Sequence, residues 1–249
     1  MDLIRFGCWE AAKLVAVIAV SAYAARTVAR WAPGGQTLKF ALYVIIGALV
    51  GLSGWYVEGD VAAEIENSHA QQALARGDLD AAYTGALAAV KRRSHQVRYW
   101  RCLIATKIAL RQTQSVLDDE PAVRALSHGE LAEEDEYQFA LAAYLLGNYD
   151  QVVAATLRMI RRDPSYAPPY VLQGRAYTAE KRYPEAQQSY LGVLQIYPTN
   201  QEAVEGLAHA YYLNGDRQQA TAVLDGTVKF SFSAAARQRF EALKGLYEQ

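Results

Sequence analysis

The sequence predicts an all-α protein, in which an N-terminal transmembrane helical hairpin precedes an α-solenoid of about five helix pairs and a C-terminal cap helix. Three observations lead to this fold class. An apolar and uncharged run covers residues 40–57. Small and aromatic residues recur with a period of 34 from residue 63 onward. Ala, Leu, Gln, Arg and Glu are abundant throughout the repeating part, and this composition favours helices.

The first two predicted elements are membrane spans. The apolar run and its neighbours give a span at 38–57, which is long enough for a helix to cross the hydrocarbon core. A second predicted span covers 9–31, where Trp9 and Trp31 lie at the ends as aromatic anchors. A cleaved signal peptide and a helix lying in the membrane interface are alternatives for that first segment.

A turn signal at residues 32–37 joins the two spans, so residues 1–58 are predicted to form an antiparallel membrane anchor. Small residues let helices approach closely in lipid, where packing has to supply the attraction. The predicted packing residues on the second span are Gly47, Gly51 and Gly54. They either hold the hairpin together or bind a transmembrane helix of a partner.

The repeating part is clearest in residues 167–200. Gly174 and Ala186 take positions 8 and 20 of this unit, where the two helices of a pair touch, and Pro198 ends the second helix. Aromatic residues at positions 4, 11 and 24 fill the gaps around that contact. These residues resemble the tetratricopeptide-repeat (TPR) family.

The resemblance covers residues 63–234 and implies a stack of helical hairpins. The second unit lacks a Gly turn and needs about two extra residues. The implied units are 63–96, 97–132, 133–166, 167–200 and 201–234, followed by a cap helix at 235–249 that solvates the end of the solenoid.

The resemblance also implies that partners bind to the concave face, which the first helix of each repeat lines. The predicted partner-binding residues on this face are Arg98, Arg101, Tyr137, Tyr144, Arg175, Glu205, His209 and Tyr212. Tyr and Arg are the usual anchor residues at protein interfaces. The alternative is that Tyr144 and Tyr212 are half-buried between repeats. The Lys and Asn pattern of the peptide-carboxylate clamp in chaperone-binding TPR domains is not reproduced here.

A basic cluster closes the first repeat. Lys91, Arg92 and Arg93 end a predicted helix, where positive charge suits the negative end of the helix dipole. Two functional interpretations stand beside this structural one. The cluster contacts anionic lipid head groups, or it contacts an acidic partner.

The sequence contains no pattern that is typical of a catalytic site. The four histidines form no HExxH motif and lie beside no plausible nucleophile. The acidic run at 133–136 opens a helix, where the dipole favours negative charge. Two cysteines form neither a plausible disulfide nor a metal cluster, and a net charge of −1 argues against nucleic-acid binding. We therefore predict no enzyme activity, cofactor, metal, nucleic acid or small-molecule substrate.

Two spans followed by TPRs resemble the membrane-anchored subunit of the Pel exopolysaccharide synthase and, as the alternative, a cytochrome c maturation factor with periplasmic TPRs. The first resemblance implies a scaffold in the bacterial inner membrane. Its partners would be other proteins, namely membrane subunits of the same complex for exopolysaccharide synthesis or export. The scaffold itself would contact the lipid bilayer. The second implies a periplasmic assembly chaperone. The charges that flank the two spans favour periplasmic repeats, but only by one charge. The basic block that follows at 91–111 and the short N-terminal tail, which would have to be translocated, argue against this, so cytoplasmic repeats are slightly preferred.

Overall fold

The computed structural model of the chain describes residues 47, 51, 59–227 and 232–248. Within 59–227 and 232–248 there are eleven helices, which we label alternately A and B along the chain. Helix α1 covers residues 59–76. The others are α2 Leu79–Arg92, α3 Val97–Ala109, α4 Thr113–Leu126, α5 Glu133–Leu145, α6 Tyr149–Arg162, α7 Ala167–Ala179, α8 Tyr183–Ile196, α9 Gln201–Leu213, α10 Arg217–Gly226 and α11 Ala234–Tyr247.

Each turn between an A helix and its B helix has one residue in the left-handed backbone region. These residues are Gly77, Arg111, Gly147, Lys181 and Gly215, with φ between 61° and 87°. Glycine adopts this conformation without the steric cost that a Cβ brings, which explains the glycines at three of the five turns. The other two turns have the same left-handed conformation at Arg111 and Lys181, which are strained there because each carries a Cβ.

The spacing of these turns shows where the repeat length changes. Successive turn residues are 34 apart, except that Arg111 and Gly147 are 36 apart. The two additional residues lie in the α4–α5 loop, which has six residues between its helices where the other loops that follow B helices, up to α9, have four. An insertion at this place lengthens a surface loop and leaves the helix pairs intact.

The chain divides into two compact units, Met1–Leu110 and Arg111–Gln249. In the first unit, Tyr99 of α3 is fully buried among alanines of α1 and α2. In the second unit, alanines at the helix contacts are likewise fully buried, with Ala186 at the centre of one such cluster. Small side chains let the helices of each hairpin pack at short distance, and larger ones fill the surrounding space.

The ring of Tyr190 on α8 is held between two glycines of neighbouring A helices. A Cβ on Gly174 of α7 would lie 2.7 Å from its Cζ, and a Cβ on Gly206 of α9 would lie 2.4 Å from the same atom. Carbon atoms in van der Waals contact are about 3.5–4.0 Å apart, so neither position has room for a side chain. The two glycines therefore position the aromatic ring of a residue that is only 3% exposed.

The predicted fold class included an N-terminal transmembrane helical hairpin, and that part of the prediction is wrong. No helix among the described residues is long and apolar enough to cross a membrane. These helices carry charged residues on their exposed sides, so they lack the continuous apolar surface that a bilayer demands. The all-α class and the TPR-like stack are confirmed.

The residues on which the predicted hairpin depended fall mainly outside the described ranges. The spans at 9–31 and 38–57 lie there, apart from Gly47 and Gly51. Both of these are helical and exposed, and a Cβ on either would meet no atom within 4 Å. Gly54 lies outside the described residues. The side on which the repeats lie, and their location in the bacterial envelope, stay predictions.

Candidate functional site

A pocket of about 260 Å³ lies on the A-helix side of the second unit, between α7, α9 and α11. Three of the predicted partner-binding residues line it, namely Arg175, Glu205 and His209. The remaining lining residues are Tyr190, Glu202, Gly206, Leu243 and Tyr247. We call this pocket, with the adjoining A-helix surface of α5, the groove.

Helix α11, the predicted cap helix, also forms a wall of the groove. Ala236, Phe240 and Tyr247 are buried in one cluster with α9 and α10. This packing brings Leu243 and Tyr247 to the pocket. The apolar spacing of α11 is visible in the sequence, but the sequence does not show which surface that apolar side covers.

Tyr212, predicted as a partner anchor, is half-buried against its own chain. Its ring stacks on Tyr247 at a centroid distance of 4.5 Å, and the Arg217 guanidinium lies 5.9 Å from its centroid. His209 is exposed on one side, and its Nδ1 lies 3.3 Å from the Tyr247 hydroxyl oxygen. Partial burial lowers the pKa of His209, so the neutral imidazole is favoured at neutral pH.

Two ion pairs cross the groove. The Arg175 guanidinium on α7 pairs with Glu202 on α9, and both side chains are close to half exposed. On the other side, Arg239 Nη2 lies 2.7 Å from Glu205 Oε2, while the Gln201 amide donates to Glu205 Oε1 at 2.7 Å. Exposed pairs of this kind contribute little stability. They hold charged groups at fixed places where a partner can reach them.

Tyrosine hydroxyls add neutral hydrogen-bonding groups to the groove. Burial raises the pKa of Tyr190 to about 12, although a hydrogen bond with Thr178 opposes this shift. Burial also raises the pKa of Tyr137, which the positive charge of Arg175 partly offsets. Tyr144, the other predicted α5 anchor, is half-buried with its ring centroid 5.8 Å from that of Tyr149. The hydroxyls of Tyr137 and Tyr190, like those of ordinary tyrosines, are protonated at neutral pH.

Arg98 and Arg101 belong to the first unit, whereas the groove belongs to the second. Both arginines are exposed on α3. Arg98 Nη2 lies 3.2 Å from Glu64 Oε2 and donates to the Tyr99 hydroxyl at 2.8 Å. Their predicted role in partner binding stays a prediction.

The basic cluster at the end of α2 is partly engaged within the first unit. The Arg92 Nε lies 3.0 Å from Glu66 Oε1, and Arg93, which is buried, pairs with Asp60. Lys91 is exposed. Acidic residues of α1 thus balance two of the three predicted lipid-contact or acidic-partner residues, and contact of the cluster with lipid or a partner stays a prediction.

The acidic run that opens α5 has a structural use. Glu136 is 3% exposed and lies 2.9 Å from Arg158 Nε and 3.1 Å from Arg162 Nη2, both on α6. Burial raises the pKa of Tyr166, and the negative charges of Glu133 and Glu134 raise it further. Within the described ranges, no three His, Cys, Asp or Glu side chains are grouped so as to hold a metal ion.

Comparisons with known proteins agree with this architecture. The tetratricopeptide-repeat family model matches residues 177–242. No curated protein matches the sequence. A MamA fragment from Desulfovibrio magneticus RS-1 is 14% identical, with 68% of this chain and 94% of that chain covered at a TM-score of 0.60. TTC0263, a TPR protein of Thermus thermophilus, is 20% identical, with 73% and 98% covered at a TM-score of 0.57.

YrrB, described as a TPR protein with an unusual peptide-binding site, is 12% identical to this chain. The match covers 71% of this chain and 90% of that chain at a TM-score of 0.54. At these identities the likeness shows the fold alone. The family match and the structural likeness together support a TPR-type stack for this chain.

Proposed function

We propose that this chain is a non-enzymatic scaffold whose groove binds a segment of a partner protein. The observation that carries the proposal is the meeting of Arg175, Glu205 and His209 in one pocket with tyrosine and leucine walls. Charged groups at the rim and apolar surface beneath them are typical of protein recognition sites. The likeness to YrrB supports the proposal because that protein is described as having a peptide-binding site.

The rigidity of the groove supports the same use. The Tyr190 ring is clamped between Gly174 and Gly206, and Tyr247 is stacked on Tyr212. A wall whose side chains are already ordered loses little conformational entropy when a partner binds. We therefore expect binding to depend on a few side chains at the pocket and to leave the helix stack unchanged.

The setting we propose is an assembly that makes or exports an envelope polymer, with cytochrome c maturation as the alternative. Both settings come from the resemblance of the sequence to membrane-anchored TPR proteins. A stable set of subunits that co-purifies with the chain would favour the first. Transient binding of apoprotein segments would favour the second.

The test is affinity purification with mass spectrometry, comparing the wild-type chain with the variant Arg175→Ala/His209→Ala. Both residues are exposed, so we expect the fold to persist, and circular dichroism would verify it. The matched control is Arg182→Ala. Arg182, like Arg175, has a side chain that is 44% exposed and paired with a glutamate, but it lies before the B helix α8.

We expect the double variant to lose the partners that the wild type and the control retain. Truncating a central anchor costs more than about 1 kcal/mol of binding energy, and a hot spot costs about 2 kcal/mol or more. Equal recovery of the partners by all three proteins would show that recruitment does not use the groove.

A further inference from the structure

The charged groups at the pocket balance each other. Arg175 pairs with Glu202, and Arg239 of α11 pairs with Glu205. Paired charges favour neither an acidic nor a basic segment, so the neutral hydrogen-bonding groups of the pocket become important for recognition. His209 is an exposed member of these groups, and partial burial lowers its pKa, which favours the neutral ring.

A neutral imidazole carries its proton on one of its two ring nitrogens, and the hydrogen bond of the other nitrogen determines which. The Nδ1 of His209 lies 3.3 Å from the hydroxyl oxygen of Tyr247. Tyr247 is only 1% exposed, and a buried hydroxyl that donates to no acceptor is costly. Among the residues that the structure describes, Nδ1 of His209 is the one hydrogen-bond partner of this hydroxyl.

Glu205 is a second acceptor close to the Tyr247 hydroxyl. Burial raises the pKa of Tyr247, and the negative charge of Glu205 raises it further. However, Oε1 of this carboxylate accepts from the Gln201 amide and Oε2 accepts from Arg239, both at 2.7 Å. Tyr247 therefore donates to Nδ1 of His209. A nitrogen that accepts carries no proton, so the proton of the neutral ring is on Nε2, on the other edge of an exposed side chain that lines the pocket.

We propose that Tyr247 is a positioning residue, which fixes His209 as an Nε2–H donor, and that this donor binds a main-chain carbonyl oxygen of the partner segment. The inference rests on the proposed function of the groove and adds the group of the partner that His209 contacts. A carbonyl oxygen is a neutral acceptor, so it fits a pocket whose charges are already paired, and every extended segment carries it.

Nuclear magnetic resonance of the full chain with isotope-labelled histidine tests the state of the ring. The chain has four histidines, and the signals that disappear in His209→Gln belong to His209. The spectra are recorded at about pH 8, well above the ordinary histidine pKa of about 6.5. We expect a protonated Nε2 and an unprotonated Nδ1. A proton on Nδ1 of His209 would overturn the proposal.

The variant Tyr247→Phe removes the hydroxyl and keeps the ring that stacks on Tyr212. We expect the Nδ1 resonance of His209 to move toward that of an imidazole nitrogen without a hydrogen bond. The matched control is Tyr211→Phe, which removes the hydroxyl of another half-buried tyrosine on α9 and should leave this resonance in place. An unmoved resonance in folded Tyr247→Phe would overturn the positioning role. Should the variant fail to fold by circular dichroism, the proton position in the wild type decides.

The contact with a carbonyl is tested with a probe peptide, the most enriched sequence of a random phage-displayed library selected against the purified full chain. Labelled copies of this peptide each carry one main-chain ester in place of an amide, because an ester carbonyl is a weaker acceptor. We expect one ester to weaken binding to the wild type by about threefold to tenfold in fluorescence anisotropy, the size of one net hydrogen bond. The same ester should weaken binding to His209→Ala by less than about twofold.

The outcomes separate the two proposals. Ester effects that are the same for the wild type and for His209→Ala, with a peptide that Arg175→Ala/His209→Ala binds more weakly, would overturn the carbonyl contact and retain the groove as the binding site. Equal binding of the selected peptide to the wild type and to Arg175→Ala/His209→Ala, or no enrichment on the wild type, would overturn the proposed function itself.

Discussion

Replacing Gly206 by Ala should destabilise the protein, because the new Cβ would enter the ring of Tyr190. The built Cβ lies 2.4 Å from the ring Cζ and 2.5 Å from Cε1. These distances are about 1 Å shorter than ordinary carbon contacts. The ring also lies close to Gly174, where a Cβ would be 2.7 Å from the same Cζ, so it has little room to move away.

The expected loss is the difference of two effects. Overpacking a well-filled core costs about 1–3 kcal/mol. Alanine is more favourable than glycine in a helix interior by about 0.5–1 kcal/mol. The overlap of about 1 Å places this site in the upper part of the first range, about 2–3 kcal/mol. Subtracting about 1 kcal/mol for the helix preference of alanine leaves an expected net loss of about 1–2 kcal/mol in the free energy of unfolding. For a domain of this size it corresponds to a melting temperature lower by about 2–8 °C.

Thermal denaturation of the full chain, followed by circular dichroism, measures this loss. The decisive comparison uses the Tyr190→Leu background, where the ring is absent and Gly206→Ala should be neutral or stabilising by up to about 1 kcal/mol. Gly245→Ala is the matched control, because a Cβ there meets no atom within 4 Å. A Gly206→Ala variant that melts like the wild type, or that loses equal stability in both backgrounds, would refute the clamp.

Three further predictions concern a turn, a helix contact and an ionisable group. Lys181→Gly should raise the free energy of unfolding by up to about 1 kcal/mol in denaturant titrations, because Lys181 has φ of 62° in a turn where other repeats use glycine; a loss of stability would contradict the assigned backbone. Ala186→Leu should cost about 1–3 kcal/mol in the same assay, since Ala186 is fully buried at a helix contact, and an unchanged midpoint would contradict that register. Because the pKa of His209 is lowered in the folded protein, the contribution of this residue to stability is fully present above the ordinary histidine pKa. The contribution is lost as the pH falls through the lowered pKa. The melting temperature should therefore fall less between about pH 7.5 and about pH 5 for His209→Gln than for the wild type or for His95→Gln, an exposed control. Identical pH profiles would contradict the partial burial of His209.

The helical repeats could be predicted from the sequence because the features that specify them are local. The period of 34, the small residues at Gly174 and Ala186, and the glycines at Gly77, Gly147 and Gly215 each constrain the backbone within one hairpin. Even the insertion of about two residues in the second unit follows from counting along the chain. Backbone conformation and hairpin packing depend mainly on neighbours within a few turns, so a single sequence suffices to predict them.

The arrangement of the groove depends on contacts between residues that are far apart in the sequence. Glu205 pairs with Arg239 across 34 residues, and Tyr247 meets His209 across 38. The sequence predicted a binding face and three of the pocket residues, but it did not predict that α11 would form a wall. It also did not predict that Tyr212 would stack within its own chain, because the partners of exposed-looking side chains are decided by how distant helices meet.

The predicted membrane hairpin is a case in which a local property of the sequence gave a wrong prediction. Hydropathy at 38–57 is a local quantity, and the prediction of a span rested on it. None of the helices in the described ranges meets the length and apolar character that crossing a membrane needs. Local chemistry thus determines which segments become helices and where their turns lie. Only the tertiary structure decides which surfaces those helices cover, because burial and charge pairing are set by residues far apart in the chain.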